Sequence, residues 1–427
     1  MKRNQLNQRL EEITPKTLVV GIDVAKSLQW ARFVDYRGVE VAKTMSFKND
    51  KIGFENIVSE IKKICKSGFE NVVIGMEPTG HYWKTLANYL INRGYKVVGV
   101  NPYHTKRAKE LDDNSPTKCD KKDAITIARL VKDGRYFIPY LPQDIYAELR
   151  ALTNARTSLM KRNNAIKNTV VAVLDEYFPE ITQVFKYVLN GKASRQILKS
   201  YPFPSEIIAI GTDGVLKEIK KAVKKSVGIK KAEQLVEIAR NSIGVEYGLV
   251  STKIKLQGML AELELLEKNL ENVENMMGKM LMKTGYGEQI LSIKGIGIVT
   301  GSMFLGEVGN PLRFNNARQI SKLAGYDLVE DSSGKNKSGT VISKRGRKGF
   351  RSVLYQMAFT MVGKNPEMKE LYRHLLIRKK NPLKKKQALV VISKKIITII
   401  YSLIKKQEKY KPDRVFGAVR QEMLLAA

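Results

Sequence analysis

Residues 18–25 read LVVGIDVA, a short apolar run rich in β-branched side chains with one acid, Asp23, set inside it. Such a run, bounded on both sides by polar residues, predicts a buried β-strand. A carboxylate there is costly unless something compensates its charge, so Asp23 is the first residue that asks for a chemical explanation.

Outward from that strand the chain alternates between extended and helical patterns. LQWARFVDYRG (28–38) and VEVAKTMSF (39–47) follow with a glycine turn between them and predict an antiparallel meander. KIGFENIVSEIKKICKSG (51–68) has helical spacing and stops at a glycine. NVVIGMEP (71–78) predicts a second buried strand, HYWKTLANYLINRG (81–94) a second helix and YKVVGVNP (95–102) a further strand. Three strands, helix, strand, helix, strand is a mixed sheet with covering helices, the order of an RNase H-like α/β domain, expected over residues 1–142.

A helical middle is expected over 143–285. Leu256, Met259, Leu263, Leu266, Leu270, Val273, Met277 and Met280 fall at alternating steps of three and four, the spacing of a coiled coil. Leu149, Leu152, Leu159, Ile166, Val170, Val173 and Tyr177 keep the same register, interrupted at Arg156 and Asn163. Two readings stand side by side: an antiparallel hairpin within one chain, with a helical insert at about 185–245, or a dimerisation arm. Residues 286–427 are expected to form a mainly α C-terminal domain.

Charge points to the partner. The 427 residues carry 75 Lys and Arg against 42 Asp and Glu, a net +33. From Leu291 onward 28 basic residues face 9 acidic ones, so this last third alone carries +19. Self-repulsion on that scale is relieved by a polyanion, which favours nucleic acid over a membrane surface. No run of 18 apolar residues and no apolar leader is evident, giving the expectation of a soluble, cytoplasmic, nucleoid-associated protein. The two cysteines, Cys65 and Cys119, and three histidines, His81, His104 and His374, offer little for a disulfide framework or a zinc site.

Four acids sit where they can do chemistry. Asp23 lies in the first strand, Glu77 ends the fourth, and Asp120 and Asp123 lie three apart in a helical segment, KCDKKDAITIARLV. In a sheet of this order the first and fourth strands are neighbours, and the helix with Asp120 and Asp123 can close over them. Converging carboxylates select a hard cation, Mg²⁺ or Mn²⁺. Each piece has an ordinary alternative: a strand-end Asp caps a turn, and an Asp-x-x-Asp pair is commonly a solvated helix face.

A second constellation is GIGIVTGSMFLGEVG, where Gly295 and Gly297 form a tight turn between apolar helices, like a helix–hairpin–helix whose backbone N–H groups hold a phosphate. Lys344, Arg345, Arg347, Lys348 and Arg351 form a basic cluster expected to contact phosphates. Ser332 and Ser333, in the polar loop 330–340, carry no chemistry on their own residues' showing, because no Ser–His–Asp grouping activates them.

GIDVAK, MEPTGHYW and KCDKKDA, in that order, resemble the Asp-Glu-Asp-Asp signature of insertion-sequence transposases of the bridge-RNA-guided kind, to which pilin-gene invertases are related. The similarity continues through SIKGIG, GEVGNPLRFNNARQISKLAGY, SSG and ISKRGRKGFR. The resemblance implies that Asp23, Glu77, Asp120 and Asp123 bind the metal of a RuvC-like domain. It implies a serine nucleophile forming a covalent phosphoserine–DNA intermediate, which falls on Ser333 with Ser332 as the fallback. It implies a non-coding bridge RNA that pairs with donor and target DNA while the protein supplies chemistry. Two positions depart from the family pattern: Cys119 stands where Thr is common, and Leu328 where Pro is common.

The expectation is therefore a DNA recombinase, and a homo-oligomer of two or four subunits, because metal residues and serine lie far apart in the chain. The alternatives are a junction endonuclease that hydrolyses DNA with water, and a non-enzymatic nucleic-acid-binding protein.

Overall fold

The computed structural model describes residues 3–113, 120–223, 228–329, 332–333, 336–337, 341–379 and 381–415; for 3–5, 109–113, 120–121, 332–333 and 336–337 the description is of backbone alone. The chain divides into two compact units, Met1–Leu141 and Pro142–Ala427.

In the first unit the order is α1 (Arg3–Glu11), β1 (Thr17–Asp23), β2 (Leu28–Val34), β3 (Met45–Lys48), α2 (Lys51–Cys65), β4 (Asn71–Met76), α3 (Trp83–Ile91), β5 (Lys96–Val100), α4 (Pro102–Asp113), α5 (Asp120–Lys132) and β6 (Tyr136–Phe137). The sheet runs β3-β2-β1-β4-β5-β6. β1, β4 and β5 are parallel, while β2, β3 and β6 pair antiparallel with their neighbours. This is the mixed sheet of an RNase H-like domain. The helices α1 and α4 and the edge strand β6 are additions to the sequence reading.

β1 reads as unbroken apolar sequence because both of its faces are covered. Leu18, Val20 and Ile22 pack with Phe54, Ile57 and Ile61 of α2 and Leu86 and Leu90 of α3. Val19 packs on the other side with Ile127, Ala128 and Val131 of α5. Asp50 starts α2 by accepting a 2.7 Å hydrogen bond from the Gly53 N–H, which satisfies one of the orphan donors of the first turn.

The second unit opens with α6 (Asp144–Tyr177), continues through α7 (Ile181–Val184), α8 (Lys192–Ser200), α9 (Pro204–Ala222) and α10 (Ile229–Arg240), and returns along α11 (Leu249–Lys283). The two long helices run antiparallel within the one chain, bridged by Arg156–Glu274 at 2.7 Å and Arg162–Glu262 at 2.8 Å. Both heptad stretches pack inside the chain: Val170, Leu174, Leu256 and Leu260 join the core of the helical insert with Phe178, Ile197 and Leu235. Of the two polar interruptions, Asn163 is buried and Arg156 is held by Glu274.

The remainder comprises α12 (Gly287–Leu291), α13 (Ile298–Val308), α14 (Ala317–Leu323), β7 (Leu328–Val329), β8 (Ser332–Ser333), β9 (Asn336–Lys337), β10 (Val341–Ile342), α15 (Lys348–Lys364), α16 (Pro366–Ile377) and α17 (Lys385–Lys406). These helices share a core with the ends of α6 and α11, through Leu149, Met277 and Leu281. Among the described residues α17 is the one helix long and apolar enough to cross a membrane, and half of that stretch is buried in the unit. Its apolarity is that of a core helix: Ile392, Ile396, Ile400 and Ile404, four apart, are fully buried.

Candidate catalytic centre and nucleic-acid interface

The four acids of the sequence reading belong to one unit. Asp23 closes β1, and Glu77 follows the last residue of β4. The parallel register pairs Gly21 with Gly75 and Ile22 with Met76, so the next step sets Asp23 beside Glu77. Adjacent strands lie about 4.8 Å apart. Alternate residues of a strand share a face, so Gly21 and Asp23 share one, as do Gly75 and Glu77.

That face is the one α5 covers, and the two glycines explain how closely. A Cβ on Gly21 would lie 2.1 Å from the Ala124 carbonyl oxygen and 2.5 Å from the Ala128 nitrogen. A Cβ on Gly75 would lie 2.4 Å from Val131 Cγ2. An isolated glycine inside a strand marks such a close approach. Ala124, which touches Gly21, directly follows Asp123, so the first turn of α5 delivers Asp123 to the edge where β1 and β4 end. Asp120 begins the helix; its side chain, like the whole of Cys119, lies outside the described residues.

Four hard oxygen donors suit Mg²⁺ or Mn²⁺ in kind. Among the described residues no three Asp, Glu, His or Cys side chains stand within the span of a single ion. The structure therefore brings Asp23, Glu77 and Asp123 to one edge of one sheet without closing a ligand cage from these three alone.

The serines belong to the second unit. β7 pairs with β10 antiparallel, and β8 with β9, with Ser332 opposite Lys337 and Ser333 opposite Asn336. What the sequence gives as a polar loop is a hairpin of two short ladders, with Ser333 on the last rung before residues 334–335. The serine side chains lie outside the described residues.

Beyond the hairpin, the basic cluster divides in two. Lys344, Arg345 and Lys348 are exposed. Arg347 donates to the Glu307 carbonyl and lies 3.9 Å from its carboxylate, and Arg351 donates to the Ala324 and Gly346 carbonyls at 3.0 and 3.2 Å. These two guanidiniums hold the loop down, while the other three cations are displayed outward. Glu307 is the residue sequence reasoning missed. It is buried, ion-paired with Arg150 of α6, and so tight against α15 that a Cβ on Gly349 would lie 2.7 Å from its Oε1. An acid inside the apolar run of α13 was the signal, since a buried charge needs a partner.

The glycine turn is also structural in part. Gly295 has φ +101°, a left-handed value, and a Cβ there would stand 3.1 Å from Met361 Cα of α15. Gly297 is open to solvent, and its N–H donates to Thr300 Oγ at 3.2 Å.

Known proteins match both units. Residues 20–179 match the DEDD transposase family model of IS110 elements, and residues 287–373 match the transposase IS116/IS110/IS902 family, so that the two span more than half of the chain. The chain belongs to the IS110/IS116 family of transposases. Among its relatives, the insertion element IS116 44.8 kDa protein of Streptomyces clavuligerus is 22% identical over 395 residues, covering 92% of this chain and 96% of its own length. The transposase for insertion sequence element IS1111A of Coxiella burnetii is 21% identical over 406 residues, 92% and 91% of the two chains. The pilin gene-inverting protein of Moraxella lacunata is 34% identical over 111 residues, 26% of this chain and 33% of its own. As an IS110/IS116 transposase the protein is an enzyme of DNA recombination, and the first family match contains all four acids.

Proposed function

We propose that this transposase cuts and rejoins DNA through Ser333, with Asp23, Glu77, Asp120 and Asp123 holding Mg²⁺ or Mn²⁺ and a bridge RNA choosing donor and target sequences. The observation that carries the reading is the register of β1 and β4. It sets Asp23 beside Glu77, on the face that α5 reaches through Gly21 and Gly75. Divalent ions held there by Asp23, Glu77, Asp120 and Asp123 would supply charge neutralisation for the phosphate under attack.

The chain's own part is nucleophile and framework. The Ser333 oxygen attacks phosphorus and forms a Ser–O–P bond while the bond to the leaving deoxyribose oxygen breaks. The proton lost by the serine balances the one that the leaving hydroxyl gains. Attack by the hydroxyl of a second DNA end then reverses the step and releases the serine, joining new partners. Net charge +33 suits a chain that holds DNA and RNA together. Exchange between two duplexes calls for a dimer or tetramer.

The test is covalent trapping. The protein is incubated with Mg²⁺, end-labelled DNA from its element's terminus and the RNA encoded beside its gene, then run on a denaturing gel. Label attached to protein, lost in Ser333→Ala and kept in Ser332→Ala, is the expected result. Cut DNA bearing no protein would mean hydrolysis by water, the chemistry of a junction endonuclease, and would overturn the serine mechanism.

A further inference from the structure

Two hollows open along one side of α17, and Thr398 belongs to both. The first, of 520 Å³, is lined by Arg318, Ser321, Asp327, Leu328, Lys394 and Thr398. The second, of 180 Å³, continues along Lys395, Thr398, Ser402 and Lys406 to Lys411 and Arg414. Lys394, Thr398, Ser402 and Lys406 are four apart and form a stripe on the helix face opposite the buried Ile392–Ile404 stripe. The plain explanation of such a stripe is a solvated helix face. Its concavity, the sign of its charge and where it begins argue for more.

The charge is predominantly basic: seven Lys and Arg side chains line the two hollows against two acids, Asp327 and Glu408. Glu408 is paired with Arg414 at 2.8 Å, and Lys409 with Glu288 at 3.1 Å. Lys394, Lys406 and Lys411 form no ion pair among the described residues. The hollow begins at Asp327 and Leu328, where β7 starts the hairpin that carries the serines. From Lys394 to Lys406 the helix rises roughly 18 Å at 1.5 Å per residue. That length matches about five nucleotides at 3.4 Å axial rise per strand.

We propose that this channel is a track for the DNA sugar-phosphate backbone, leading the strand to the foot of the serine hairpin. DNA is favoured over RNA by the channel's origin: whatever lies in it is delivered to the residues that the proposed mechanism sets against a DNA phosphate. The inference rests on that reading only for its choice of polyanion. Binding is therefore measured in the full chain carrying Ser333→Ala, where no covalent chemistry contributes.

Three variants of that chain are compared by fluorescence anisotropy against element-end duplex DNA from low to high salt. One adds Lys394→Gln, Lys406→Gln and Lys411→Gln. A control adds Lys217→Gln, Lys220→Gln and Lys230→Gln, which remove equal charge from exposed sites on α9 and α10. The third adds only Lys406→Gln and Lys411→Gln and serves if the triple variant fails to fold. The channel triple is expected to lose at least about tenfold in affinity at moderate salt and to flatten the log–log salt slope by about 2–3, near 0.9 per lost phosphate contact, and the pair by about 2. The control is expected to stay within about twofold. Equal losses in channel and control variants, unchanged DNA binding, or a loss confined to RNA would each overturn the proposal.

Discussion

At the carboxylate edge a helix lies on two glycines so closely that a methyl group on either would overlap its atoms. The hairpin bearing Ser333 is held by two two-residue ladders, and the side chains at its root, Leu328 and Val341, are 63% and 61% exposed. The first region is fixed by core packing, where volume is felt down to a single methylene. The second is fixed by backbone pairing and by the loop that Arg347 and Arg351 pin behind it. Errors in the first should cost the fold. Errors in the second should cost only the placement of one residue, which suits the nucleophile role proposed for Ser333 on a large substrate.

The largest effect should fall on chemistry. Asp23→Ala or Glu77→Ala is expected to slow strand exchange at least about a thousandfold, through loss of several kcal/mol of metal-borne stabilisation, with DNA binding retained. Product formation and anisotropy on the same preparation measure both halves. Next is Gly21→Ala. Its new Cβ meets the Ala124 carbonyl at 2.1 Å, so the strand or α5 has to move, at about 3 kcal/mol. Thermal unfolding should fall by several degrees, and an unchanged midpoint would break the comparison.

Arg150→Ala tests the framework behind the hairpin. Removing one partner of a buried ion pair costs about 3–5 kcal/mol, but Arg347 still faces Glu307, so about 2 kcal/mol is expected in denaturant melts. Smaller still is an effect of acid on the helical insert, outside both regions. Burial would raise the Glu218 pKa, but hydrogen bonds from Lys221, Ser200 and Gln196 outweigh it and hold the carboxyl at about 2, below its ordinary 4.5. A depressed folded pKa gives stability that is complete above pH 4.5 and is lost as pH falls toward 2. Melting across pH 5 to 3 should therefore steepen, and Glu218→Gln should flatten that slope. Least of all, Val341→Thr on the exposed ladder should leave the global midpoint within about 0.5 kcal/mol.

The strand and helix order of the first unit was legible because β1, β4 and β5 are buried runs separated by amphipathic helices that stop at glycines. Gly21 was legible too, in principle: a glycine inside LVVGIDVA has no turn to make, so close approach is what remains. The partner of the heptad stretches was not legible, because a repeat specifies a complementary surface and not which chain supplies it. Nor was the hairpin around Ser333, whose two-residue strands are too short for a period of two to register. The division of the basic cluster depended on Glu307, more than thirty residues upstream, and no local pattern around Arg347 reveals it.

The claim on which the rest stands is that acids distant in the chain meet around divalent cations at one sheet edge. Mn²⁺ titration of the DNA-bound protein, followed by the electron paramagnetic resonance signal of free ion, tests it directly. Saturable binding should be lost on Asp23→Ala, on Glu77→Ala and on Asp123→Ala alike, while each variant still melts cooperatively. Saturable binding that persists unchanged in any one of the three, or is absent from the wild type, would contradict it.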